Sequence, residues 1–132
     1  MENQLLIAKS KEHKKSKKII VIDDEVAFRN GWIEILPNNQ VETFGNPDEF
    51  AEKYTEPGAL SDVQCIILDY RFENHNAEDK NIVAYIREDL KFGSKIALWT
   101  LDDYVSPDIL KGCDLKLPKR IMPIEDLEKW LN

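Results

Sequence analysis

Glycine is scarce in this chain, and what there is does not cluster. The 132 residues include five glycines at separated positions, which excludes the glycine-rich phosphate cradle of P-loop proteins and the dinucleotide fingerprint. The two cysteines, Cys65 and Cys113, lie far apart with no CxxC spacing. They read as small apolar core groups in a reducing compartment, not as a disulfide. No apolar run approaches the roughly 20 residues needed to cross a bilayer. The one apolar stretch near the start, Leu5 to Ala8, runs into lysines and does not resemble a signal peptide. A membrane span and export are therefore not expected, and the predicted location is cytoplasmic.

What is present suits one globular domain. Hydrophobic residues make up 42% and charged residues 33%, a balance typical of such folds. A chain of this length buries roughly two-thirds of its unfolded surface without a disulfide or metal staple. Charge divides it in two. Residues 1–18 carry six lysines against two glutamates, a net +4, so the remainder holds −11 of the overall −7. Residues 1–17 read as a basic flexible leader and 18–132 as an acidic domain. The acidic body disfavours phosphate backbones and hence nucleic acid. The leader offers a contact for an acidic partner, a membrane surface or nucleic acid, but its composition is that of a solvated tail.

Apolar runs and helical periodicities alternate along the body. Lys18–Ile22, Gln40–Phe44, Val63–Leu68, Lys95–Trp99 and Leu115–Leu117 read as strands. Between them, Val26–Leu36 places Phe28, Trp32, Ile35 and Leu36 on one helical face. Asn46 and Pro47 supply a cap and a first position for a helix to about Tyr54. Asn81–Leu90 places Ile82, Tyr85, Ile86 and Leu90 together. A short helix follows Ser106-Pro107, and a last one starts at Pro123. This alternation predicts a five-stranded parallel sheet with helices on both faces.

In such sheets ligands gather outside the carboxyl ends of the strands. There the chain places Asp23 and Asp24 after the first strand, Asp69 after the third, Thr100 at the end of the fourth and Lys119 just past the fifth. Adjacent carboxylates repel unless a cation compensates, and hard oxygen donors suit Mg²⁺. A carboxylate such as Asp69 can act as a nucleophile toward phosphorus, with the Thr100 hydroxyl and Lys119 ammonium at the phosphoryl oxygens. Each residue also has a plainer role: a cap for the Val26 helix, a loop aspartate, a β-favouring threonine, a surface lysine. All of them in this order at successive strand ends make the combination specific.

Val21-Ile22-Asp23-Asp24-Glu25, Ile66-Ile67-Leu68-Asp69, Ala97-Leu98-Trp99-Thr100 and Gly112-Cys113-Asp114 leading to Lys119 resemble the receiver domain of two-component response regulators, over about residues 18 to 131. The resemblance implies a flavodoxin-like strand order 2-1-3-4-5. It also implies Asp69 as acceptor of a phosphoryl group from a histidine kinase or histidine phosphotransfer protein. Mg²⁺ would be bound by Asp24, by Asp23 mainly through water, by Asp69, and by the backbone carbonyl of Arg71. Thr100 and Lys119 would contact the phosphoryl group, and phosphorylation would bias a two-state equilibrium.

Some positions depart from the family pattern. Leu101 is bulky where a small residue is usual, and is expected to narrow the route to the phosphoryl group. Arg120 replaces the proline after the lysine, so a trans bond is expected there. Lys116 stands at the aromatic switch position; it is also the alternative candidate for the site lysine. The 19 residues from Thr100 to Lys119 leave room only for a short or irregular fourth helix. The loop after Asp69 carries Arg71, Glu73, His75, Glu78 and Asp79, candidates for partner contacts.

The expected function is a stand-alone receiver acting through protein contacts with a downstream target, without its own DNA-binding domain and not an enzyme in the ordinary sense. Two other readings use the same residues. One is a pseudo-receiver that binds partners without phosphorylation. The other is a small Mg²⁺-dependent phosphatase, which Arg71 disfavours by occupying the place of a second acid in an Asp-x-Asp pair.

Overall fold

Successive residues of a strand face opposite sides of its sheet, and here both sides are apolar. In a computed structural model, which describes residues 18–36, 40–70, 81–101 and 104–118, Ile20, Ile22, Ile66, Leu68, Ile96 and Leu98 point to one side. Ile19, Val21, Cys65, Ile67, Ala97 and Trp99 point to the other. A strand apolar on both sides is stable only when covered on both, which favours parallel strands joined by helical crossovers.

The strands are β1 (Lys18–Ile22), β2 (Gln40–Phe44), β3 (Val63–Leu68), β4 (Lys95–Thr100) and β5 (Leu115–Pro118). They form one parallel sheet in the order β2-β1-β3-β4-β5, the flavodoxin-like arrangement expected. Helix α1 (Val26–Ile35) covers one side, with Trp32 fully buried and Phe28 and Ile35 packed beside it. Helices α2 (Pro47–Lys53), α3 (Ile82–Ala84) and α4 (Pro107–Leu110) cover the other through Phe50, Ile82, Val83 and Ile109. The leader 1–17, the breaker at 37–39, the loop 71–80 and the last helix expected from Pro123 lie outside the described residues.

Local chemistry explains the helix ends. Asn46 Oδ1 accepts from the Glu49 N–H at 2.9 Å, and the Glu49 carboxylate accepts in return from the Gly45 N–H at 2.9 Å. This reciprocal bonding resembles a capping box, and Pro47 fits the first position because its missing N–H would be unpaired there anyway. Helix α4 has four residues, as the short Thr100–Lys119 spacing implied.

Helix α3 differs from expectation. After one turn it widens into a π turn over Tyr85–Asp89, with the Leu90 N–H bonded to the Tyr85 carbonyl at 3.0 Å. Ile82, Ile86 and Leu90 are all buried. Residues four apart in an α-helix drift by about 40° per step, and the wider turn absorbs that drift so that all three reach the core. Gly112 completes the packing, since a Cβ there would lie 2.4 Å from Val83 Cγ1. Only glycine lets the chain entering β5 pass so close to α3.

Candidate phosphoryl and cation site

Register builds the site. Ile22 lies opposite Phe44 on one side and Leu68 on the other, and Leu68 lies opposite Leu98. The residues that follow, Asp23 and Asp69, therefore leave the sheet side by side at its carboxyl end. The Asp23 N–H donates to the Phe44 carbonyl at 3.0 Å, and the Asp69 N–H to the Ile22 carbonyl at 2.9 Å. These bonds extend the ladder one residue beyond the strands and fix both Cα positions.

The carboxylates of Asp23, Asp24 and Asp69 each bring an oxygen within 4.8 Å of the others. Asp23 is fully buried, Asp69 nearly so, and Asp24 is half-buried. Asp23 Oδ1 accepts from the Glu25 N–H at 2.9 Å, and Asp69 Oδ1 from the Tyr70 N–H at 2.8 Å. The simple capping role is not what the structure places here. Glu25 is the N-cap residue of α1 and makes no side-chain cap bond, while Asp23 tightens the turn before it.

Thr100 is buried at the end of β4, opposite Pro118 and on the same end of the sheet. Leu101 is 60% exposed, so it is not packed into the site as a plug. Lys116 is exposed and pairs with Leu98 inside β5, two positions short of the strand's end. Lys119, Arg120 and Arg71 lie outside the described residues, as does the loop carrying Glu73, His75, Glu78 and Asp79.

Three hard oxygen donors converging in one small, largely buried volume fit a divalent cation such as Mg²⁺. Like charges this close favour either a bound cation or protonation. Because one of the three, Asp69, is a nucleophile-competent carboxylate, the arrangement can accept an electrophilic phosphorus.

One residue at the site was not singled out from the sequence. Arg29 donates from its guanidinium to the backbone carbonyl of Asp23. A signal existed: a cation this early in a helix opposes the helix dipole and so calls for a local acceptor.

Comparison with known proteins agrees with this geometry at the level of fold. No protein-family model matches the chain, and no curated protein sequence does. Solved structures do. A CheY-like receiver domain from Methylobacillus flagellatus superposes with a TM-score of 0.70 at 13% identity, covering 88% of this chain and 98% of that one. The response regulator TrrA from Thermotoga maritima, solved in complex with Mg²⁺-BeF, gives 0.69 at 24% identity over 87% and 96%. A receiver domain from Clostridium thermocellum gives 0.70 at 22% over 88% and 91%. The fold is thus that of the response-regulator receiver domain. Among the described residues, no helix is long and apolar enough to cross a membrane.

Proposed function

We propose that this chain is a phosphoryl-accepting signalling module of the two-component type, with Asp69 as the acceptor. The observation that carries the proposal is the meeting of the Asp23, Asp24 and Asp69 oxygens within 4.8 Å at the carboxyl ends of β1 and β3. The donor is a phosphohistidine on a kinase or phosphotransfer protein. A carboxylate oxygen of Asp69 forms the new bond to phosphorus as the P–N bond to the donor breaks. The electron pair of that bond leaves with the imidazole nitrogen, which takes up a proton.

Asp23, Asp24 and Asp69, with the Arg71 carbonyl, would hold Mg²⁺. When bound, Mg²⁺ neutralises charge that would otherwise repel the incoming phosphoryl group. Thr100 offers a hydroxyl to a phosphoryl oxygen, and Lys119, directly after β5, offers an ammonium. The module is not a turnover enzyme, acts in the cytoplasm, and passes its state to a downstream protein by contact.

Incubation with acetyl phosphate and Mg²⁺ tests this. Wild type should gain the mass of one phosphoryl group in an alkali-labile form, and Asp69→Asn should not. If wild type gains nothing, the proposal fails in favour of a second reading, a receiver-fold module that binds partners without phosphorylation. Lys116 favours that reading, because an exposed lysine at the switch position of β5 cannot make the buried-to-exposed swing of an aromatic ring. Hydrolytic turnover of a generic phosphate ester would instead revive the phosphatase reading.

A further inference from the structure

The geometry points to Arg29 as a positioning residue for the cation site: its guanidinium clamps the peptide between Asp23 and Asp24, so that the Asp24 carboxylate is presented to Asp69. This rests on the cation site proposed above and assigns a role to a residue outside the ligand set.

A peptide unit is planar. Fixing its carbonyl oxygen therefore fixes the plane, and with it the direction in which the next Cα leaves. The carbonyl of Asp23 belongs to the unit that leads into Asp24, and Arg29 Nη1 donates to it. The remainder of Asp23 is held as well. Its N–H donates to the Phe44 carbonyl at 3.0 Å, and its Oδ1 accepts from the Glu25 N–H at 2.9 Å. With all three bonds made, the turn from β1 into α1 has little freedom, although Asp24 itself is only half-buried.

The guanidinium also lies near the end of β2. A Cβ on Gly45 would lie 3.6 Å from Arg29 Nη1 and 3.4 Å from Glu49 Oε2, which is contact distance. Arg29 therefore reaches the end of β1 from the first turns of α1 and lies near the end of β2, and its own backbone N–H is anchored to the Glu25 carbonyl at 3.1 Å. Arginine suits the task because its planar fork loses little freedom on bonding and keeps its charge.

Two effects of this side chain oppose each other. Its charge alone repels a divalent cation, so removing it as a charge would tighten Mg²⁺ binding. Its clamp preorganises a ligand, and losing comparable supporting contacts around metal ligands weakens binding by about 10–100-fold. The sign of the change therefore separates the clamp from the charge.

Mg²⁺ binding to the full chain is measured by calorimetric titration, with the metal-free melting temperature and near-ultraviolet circular dichroism recorded alongside. Arg29→Ala is expected to weaken Mg²⁺ binding about tenfold or more while the fold signal is retained. Arg29→Lys, which keeps the charge and one donor, is expected to recover part of the loss. Affinity in Arg29→Ala equal to or tighter than wild type overturns the proposal, as does an Arg29→Lys variant no better than Arg29→Ala. A loss of binding that only tracks a loss of folded protein overturns it too. Should Arg29→Ala fail to fold, Arg29→Gln takes its place with the same criteria. If wild type shows no Mg²⁺ binding sensitive to Asp24→Ala, the cation reading fails and takes the clamp with it. If wild type binds and Arg29→Ala binds equally well, the clamp alone fails.

Discussion

The two ends of the sheet treat charge in opposite ways. At the amino end, Arg87 donates to the carbonyls of Gly112, Phe92 and Ser94 at 2.6–3.0 Å and to Asp114 Oδ2 at 2.8 Å. Asp114 also accepts from the Ile96 N–H at 2.8 Å. One ion pair thus ties the π turn of α3 to the starts of β4 and β5. At the carboxyl end, Asp23, Asp24 and Asp69 bring three like charges within 4.8 Å. One end is built to hold the fold together. The other gathers three carboxylates, with the Arg29 guanidinium on the backbone beside them, and a bound cation would relieve their mutual repulsion.

Removing a charge from each end should therefore act with opposite sign, and the largest effect belongs to the amino end. Arg87→Ala should lower stability by about 2–3 kcal/mol, because it leaves several acceptors unmatched, discounted for the partial exposure of the pair. Urea melts measure it, and an unchanged midpoint would show that the amino end carries no such burden. Next in size, Mg²⁺ at tenfold excess over Kd should stabilise wild type by about 1.4 kcal/mol and so raise its melting temperature. Asp24→Ala should abolish the rise. Without Mg²⁺, Asp69→Asn should stabilise the protein by about 1 kcal/mol through relief of repulsion. A loss of stability instead would mean that the carboxyl end is already compensated within the chain.

A third region sharpens the contrast by pairing opposite charges near the surface. On edge strand β2, the Glu42 carboxylate accepts from Lys53, from the Tyr54 hydroxyl and from Lys18. Burial pushes the Glu42 carboxyl up, but the bonds from Lys53 and Tyr54 and the charges of Lys18 and Lys53 outweigh it and hold it below its ordinary value. Its stabilisation is present above the ordinary carboxylate range and is lost as pH falls through the lowered value. Tyr54 runs the other way. Burial, then the bond to Glu42, pushes its hydroxyl up to about 12, so its stabilisation is complete below about pH 10 and is lost between there and pH 12. Tyr54→Phe should cost about 1 kcal/mol at neutral pH and flatten that alkaline loss, as read from melts across pH.

The smallest effect concerns the thiols. Burial pushes the Cys113 thiol up to about 11 and raises the Cys65 thiol as well. Thiolate is the reactive form, so both cysteines should resist iodoacetamide at pH 8 while folded and react quickly in urea. Rapid native labelling of Cys113 would show that the chain before β5 opens readily.

Much of this molecule was legible without coordinates. The strands showed as short apolar runs, the α2 start showed in Asn46-Pro47, and the short α4 followed from a count of residues. The acidic trio was found because position at a strand's end is a local property. Other features were not visible. The π turn answers to a core that must receive Ile82, Ile86 and Leu90 together. Arg87 looks like any charged helix residue until Gly112 and Asp114, 25 and 27 residues away, arrive beside it. Arg29 was marked in the sequence only by its place early in a helix, and its acceptor is a carbonyl, which no side-chain pattern names.

The chain's own order of residues determined which segments become strands, that both sides of the sheet must be covered, and that carboxylates follow the first and third strands. These depend on periodicity and on neighbours a few positions away. Tertiary structure alone decided that Asp24 and Asp69, 45 positions apart, share one small volume, and that Arg29 reaches the Asp23 carbonyl beside them. Parallel pairing brings distant strand ends to one level, and a hydrogen bond to a distant carbonyl exists only once the chain has folded.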